Sequence, residues 1–212
     1  MVEAIWHTQH EGGGSFMSTA GTNMEMVVTR QVGRTTITVR GPETQARPAP
    51  IPVEADFFGI IFKLGTFVQP IPTSELVNGG LNLPDASSKS FWLHGSAWEF
   101  PTYDNADVFI ERLVREGILV REPVVEAALQ GELKDLSLRS VQRRFLQATG
   151  LTQKAVQQIE RAKKAFALLQ QGKSILDTTY EVGYFDQSHL TNSLKHFIGQ
   201  TPAQILKQNE SE

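Results

Sequence analysis

The chain has 212 residues, enough to bury a substantial core as one large domain or two small ones. Its composition, 40% apolar and 20% charged, is that of an ordinary soluble protein, and the lack of cysteine excludes disulfides, cysteine-ligated zinc and thiol catalysis. The net charge of −3 conceals an asymmetry: residues 1–122 carry 9 Lys/Arg against 14 Asp/Glu, residues 123–207 carry 11 against 7, and Glu210 and Glu212 complete the total.

An acidic half joined to a modestly basic, anion-facing half is the pattern this implies. No apolar run approaches the length of a membrane span, and the N-terminus has no basic-then-apolar secretion signal. A cytoplasmic protein with no membrane association is therefore expected.

Residues 1–23 show little apolar periodicity and contain the run Gly12, Gly13, Gly14, Ser15, which predicts a mobile arm. His7 and His10 have a spacing that suits a metal, but no third ligand is near, and incidental surface histidines are the better account. From Met24 to Arg40 the pattern alternates. Met24, Met26 and Val28 lie on one face, then Ile37 and Val39 after Gly33, as in a half-buried hairpin. The proline-rich stretch 41–52 reads as an extended loop. Phe57 to Leu64 is apolar on nearly both faces, which suits a central strand. The aromatics of this half (Phe57, Phe58, Phe62, Phe67, Trp92, Trp98) suit either a ligand pocket or a packed core, with the core preferred. His94 stands alone. No nucleophile elbow, phosphate loop, paired-histidine metal motif or carboxylate pair is found, so no catalytic residue, metal or cofactor is expected.

At Pro101 the period changes to that of a helix. Asp104 or Asn105 can cap a segment whose Ala106, Phe109, Ile110, Leu113 and Val114 share a face, and Gly117 stops it. Pro123 at a first helical position opens the next helix, closed by Gly131. Ser137 caps Leu138 to Ala148, with an apolar stripe of Leu138, Val141 and Phe145 and an outer face of Arg139, Gln142, Arg143 and Leu146. Thr152 caps a long helix, Gln153 to Gln171, whose inner stripe is Ala155, Ile159, Ala162, Phe166 and Leu169. Ser174 caps Ile175 to Val182, Gly183 makes the turn, and Asp186 caps Gln187 to Ile198 with Leu190, Leu194 and Phe197 inward. Helix, glycine turn and capped helix form a helix-turn-helix pattern.

A shift of 49 residues superposes the two capped helices: Val141 falls on Leu190, Phe145 on Leu194, Gly150 on Gly199 and Thr152 on Thr201. The outer residues Arg139, Gln142, Arg143 and Leu146 fall on Ser188, Thr191, Asn192 and Lys195. Such side chains fit base edges, because arginine forks onto guanine and glutamine or asparagine pairs with adenine. For a single helix, solvated surface charge would explain Arg139 and Arg143 better. Two equivalent polar stripes opposite two equivalent apolar stripes favour the reading of DNA.

The run Ser137 to Thr152, the segment Arg161 to Ala165, Glu181 to Leu190 and Phe197 to Pro202 together resemble the DNA-binding domain of AraC/XylS-type bacterial transcription regulators, over roughly residues 102–207. That resemblance implies seven helices in two helix-turn-helix units joined by the long helix, the two readers entering successive major-groove segments on one DNA face. It maps the contacts of the first reader to Arg139, Gln142 and Arg143, and those of the second to Gln187, Ser188, Asn192 and Lys195. Two departures stand out. Gly131 to Val141 spans ten positions where Gly183 to Leu190 spans seven, and Asn192 stands where many relatives carry a basic residue. The N-terminal half resembles the family's sensor domains only loosely and lacks the paired histidines of metal-binding cupins.

The expectation is an α+β protein: a small β-rich N-terminal sensor or dimerisation domain with a mobile arm (1–101), an all-α double helix-turn-helix domain (102–207) and a frayed tail (208–212). Its expected function is sequence-specific transcription regulation without catalysis. The expected partners are double-stranded DNA, a small-molecule effector, RNA polymerase and a second copy of the chain. The rival accounts are an enzyme with a regulatory helical tail and a protein-interaction module. The version that carries a methyl-accepting cysteine is excluded by composition.

Overall fold

The computed structural model describes residues 1–132 and 136–209 and is β-rich first, helical afterwards. The early elements are β1 (Val2–His10), β2 (Gly14–Ser18), β3 (Glu25–Gln31), β4 (Arg34–Arg40), β5 (Arg47–Ile51), β6 (Ala55–Phe62) and β7 (Thr66–Val68). Then come the one-turn helix α1 (Thr73–Leu76), β8 (Gly80–Asn82), β9 (Asp85–Ser87), β10 (Ser90–Leu93) and β11 (Ser96–Glu99). The helical half contains α2 (Ala106–Arg115), β12 (Leu119–Arg121), α3 (Pro123–Gln130), α4 (Leu138–Thr149), α5 (Gln153–Gln170), α6 (Ile175–Val182), α7 (Gln187–Phe197) and α8 (Pro202–Asn209).

These elements form two compact units, neither contiguous in sequence. The first comprises Met1–Gly14, Asn23–Pro42 and Pro50–Gln153; the second comprises Ser15–Thr22, Glu43–Ala49 and the chain from Lys154 onward. A division at residue 101, where the period changes, differs from this grouping for a physical reason. Ala106, Phe109 and Leu113 of α2, with Ile118 and Leu119 after it, enter the same core as the strands.

In the first unit a five-stranded antiparallel sheet runs β1-β6-β3-β4-β8. The expected hairpin is present, with Glu25 opposite Arg40 and Gln31 opposite Arg34. β6 lies inside the sheet, as its two-faced apolar pattern predicts, and buries Phe58, Ile60 and Phe62. The N-terminal arm is not free: β1 pairs along β6 from Val2 opposite Phe62 to His10 opposite Ala55. Its low periodicity reflects an edge strand, none of whose residues is buried. Gly59 leaves the space that Trp6 fills, since a Cβ there would lie 2.1 Å from the indole. His7 hydrogen-bonds to the Asp56 carboxylate, which also receives Arg30 at 3.0 Å. The stretch 41–52, read as a loop, includes β5, paired to β2.

Of the aromatics suited to either pocket or core, Phe58, Phe62 and Trp98 are buried in the core, Phe57 and Phe67 are partly covered, and Trp92 is largely exposed. His94 and Gly95 close the β10–β11 hairpin with φ of +51° and +76°, the double positive-φ geometry of a type I′ turn, so the lone histidine is a turn residue.

The second unit buries Ala165, Leu169, Tyr184, Leu190, Leu194, Ile198 and Ile205, with Phe166, Phe197 and Leu206 packed around them. The buried stripe of α5 is Val156, Ile159, Ala162, Ala165 and Leu169; Ala155 and Phe166, expected inward, are only partly covered. Among the described residues no helix is long and apolar enough to cross a membrane. Of the expected frayed tail, residues 210–212 lie outside the described residues.

Candidate nucleic-acid interface

The first helix-turn-helix pair is α3 and α4. Pro123 occupies the first turn of α3, where its missing N–H costs nothing, and Gly131 ends the helix at φ +73°. Residues 133–135 of the connection lie outside the described residues. Ser137 caps α4 by accepting from the Ser140 amide at 3.2 Å. Two attachments fix α4 in the first unit. Arg144 grips Glu122 with two bonds, 2.7 and 3.0 Å, and the same carboxylate caps α3 through the Val124 amide at 3.1 Å. At the other end the Thr73 hydroxyl donates to the Gln147 carbonyl at 2.7 Å, and Gly150 sits so close to α1 that a Cβ would come 2.9 Å from the Thr73 oxygen.

With Val141, Phe145 and Ala148 buried, the opposite face of α4 presents Arg139, Gln142, Arg143 and Leu146 to solvent. Among the described residues neither Arg139 nor Arg143 makes an ion pair. Leu138, expected in the inward stripe, is instead 72% exposed. It is the first residue of the helix, and the stripe reaches the core only from Val141 onward.

The second pair is α6 and α7, with the bounds of α6 as its sequence signals place them. Ser174 caps α6 by accepting from the Asp177 amide (3.1 Å), Gly183 makes the turn at φ +76°, and Asp186 caps α7 by accepting from the His189 amide at 2.7 Å. Tyr184 locks the turn inward: it is 4% exposed, its hydroxyl meets Ser193 at 2.7 Å, and the Arg161 guanidinium lies 4.7 Å above its ring. The far end of α7 meets chain from the N-terminal half of the sequence, where the Ala46 amide donates to the His196 carbonyl at 2.8 Å.

Gln187, Ser188, Asn192 and Lys195 are all exposed, and Leu190 and Leu194 beneath them are fully buried. Lys173 pairs with Glu181 beside this turn, and that hydrogen bond holds the Glu181 carboxyl below the usual carboxylate range. Each set of sequence-predicted residues is thus brought onto one exposed helix face within its own unit. Phe185, 90% exposed just before the cap of α7, is absent from both sets. Its only sequence signal, an apolar residue ahead of a cap, ordinarily marks a packing residue.

Two helix-turn-helix pairs, each with its second helix capped, seated on an apolar core and polar outward, define a DNA-binding protein of the helix-turn-helix class. Residues 134–208 match the family model described as "Helix-turn-helix domain", and this region is a helix-turn-helix domain of the AraC type. The chain therefore carries the DNA-binding module of a transcription regulator.

No curated protein sequence matches the chain. Among solved structures it is similar to ToxT from Vibrio cholerae, with 9% identity over 96% of this chain and 97% of that one and a TM-score of 0.40. Further similar structures are an apo ToxT variant from Vibrio cholerae strain SCE256 (8% identity, 96% of both chains, TM-score 0.42) and an unsaturated-fatty-acid-bound wild-type ToxT from the same strain (9%, 95% and 93%, TM-score 0.38).

Proposed function

We propose that the chain is a sequence-specific transcription regulator in which α4 and α7 read successive major-groove segments of double-stranded DNA. The observation that carries this reading is the exposure, on each capped helix, of side chains with base-reading chemistry opposite buried apolar residues, Val141 and Phe145 in α4 and Leu190 and Leu194 in α7. Arg139 and Arg143 can each fork onto guanine O6 and N7, and Gln142, Gln187 and Asn192 can pair with adenine N6 and N7. Ser188, Lys195 and the backbone amides at the two helix starts suit phosphate contacts that fix the register. Residues 1–101 supply modulation by binding a small-molecule effector or a second copy of the chain. Their aromatic content and the opposite charge balance of the two halves support this part of the reading.

Selection of binding sites from random DNA with the full chain tests the reading. Enrichment of a site long enough to occupy two adjacent major grooves, with affinity falling steeply as salt rises, is the expected result. Weak, salt-insensitive binding without enrichment would overturn it in favour of a protein-interaction module. For modulation, a thermal-shift and calorimetric screen in which no small molecule alters stability or DNA affinity would count against an effector.

A further inference from the structure

We infer that Phe185 is a specificity-determining residue that reads the methyl group of a thymine at the edge of the segment bound by α7; the inference rests on the DNA-binding reading above. Phe185 directly precedes the cap Asp186, a position from which an apolar side chain ordinarily folds back onto the fourth residue of the helix. Here that residue is Leu190, already fully buried, and the inward role belongs to Tyr184 at 4% exposure. Phe185 stays 90% exposed and has no ring partner among the described residues. It therefore contributes nothing visible to the core, and an aromatic ring stands in water beside Gln187 and Ser188, the first two residues of the reading helix.

A helix that enters the major groove leads with its N-terminal residues, so whatever stands just before the cap meets the rim of the contacted bases. The thymine C5 methyl is the apolar group that base pairs present on the major-groove floor, and phenylalanine is among the side chains that suit it. The 49-residue repeat supplies an independent parallel. It sets Leu136, also apolar and exposed, at the same place before the cap of α4. An apolar residue ahead of each cap is thus a feature of both readers.

The test uses the full chain on the site obtained by random selection. Failure to obtain any site would sink the DNA-binding reading itself and is thereby separate from failure here. On that site each thymine in the α7 segment is replaced in turn by deoxyuridine, which keeps every hydrogen-bonding group and removes only the methyl. The expected result is a loss of about fourfold at one position, the worth of one buried methyl-sized group. Phe185→Ala should bind the thymine site more weakly and no longer distinguish thymine from uracil there. Phe185→Leu should keep part of the distinction, and Gln187→Ala should keep it entirely. Equal binding of all uracil-substituted sites by the unaltered chain would overturn the proposal, as would a thymine preference that survives in Phe185→Ala. Circular dichroism of each variant should match that of the unaltered chain, because a side chain this exposed holds nothing in place.

Discussion

The backbone amide of Ala20 donates a 2.7 Å hydrogen bond to the carbonyl oxygen of Phe197, the last residue of α7. The carbonyls in the last turn of a helix have no partner within it, so a donor brought from outside satisfies a group that would otherwise cost free energy to bury. Ala46 does the same for His196. Thr22 adds a side-chain bond to Glu160 of α5 at 2.9 Å. Two short segments from the N-terminal half of the sequence thus hold the far end of α7.

Gly199 is where this attachment is most exacting. Its φ is +84°, and a Cβ there would stand 2.8 Å from Met17 and 3.2 Å from Ala46. Gly172 has nearly the same φ, +82°, with nothing within 4 Å. Gly172→Ala should therefore cost only the left-handed strain, about 1–2 kcal/mol. Gly199→Ala should cost that plus the displacement of the half-exposed Met17 side chain, on the order of 0.5–1.5 kcal/mol more. Thermal denaturation of both variants gives the comparison. Adding Met17→Ala should recover part of the extra loss at Gly199 and none at Gly172.

Leu194 and Leu138 belong to matching apolar stripes in sequence, but they are 0% and 72% exposed. Leu194→Ala should destabilise the second unit by about 2–5 kcal/mol, the usual cost of a cavity at a fully buried leucine. Leu138→Ala should stay within about 0.5 kcal/mol of the unaltered chain, as surface changes do. Denaturant titration of each distinguishes them, and equal effects would contradict the placement of α4.

Arg143 is exposed, whereas its neighbour Arg144 is held by Glu122. Arg143→Ala should relax base preference at one position and weaken the selected site by about 1–3 kcal/mol while leaving stability alone. Arg144→Ala should lower stability, because it leaves Glu122 holding only the α3 cap, and should not change the preferred sequence. Measuring both variants on the site and on its single-base changes separates reading from positioning.

Lys195 is expected to meet a phosphate. Lys195→Ala should weaken binding to all sequences alike and reduce the slope of log affinity against log salt by about 1. A change in sequence preference instead would place Lys195 on a base.

The Lys173–Glu181 pair predicts a small pH effect. The Glu181 carboxyl is held low in the folded chain, first by the hydrogen bond from Lys173. The stabilisation is therefore present above the carboxyl's unfolded value and is lost as pH falls through the lowered folded value. The pair is exposed, so the effect on overall stability is minor. An NMR titration should show the Glu181 carboxyl moving up in Lys173→Ala; an unchanged midpoint would count against the pairing.

The sequence by itself determined the second helix-turn-helix almost residue for residue. The Ser174 and Asp186 caps, the Gly183 turn and the buried Leu190 and Leu194 are signals written within a few positions, and each acts through local backbone geometry. It also determined the exposed faces of α4 and α7, because helical period follows from side-chain spacing alone. Only the tertiary structure decided that β1 pairs with β6, that α2 and β12 join the core of the strands, and that residues 15–22 and 43–49 group with the helices. Backbone hydrogen bonds between distant segments and, for α2, the burial of Ala106, Phe109 and Leu113 make those choices. A peptide N–H such as that of Ala20 carries no side-chain signature of the carbonyl it will meet. The same limit hid Phe185: Tyr184 and Phe185 are adjacent aromatics, the tyrosine the more polar of the two, and only packing sends Tyr184 inward and Phe185 into solvent.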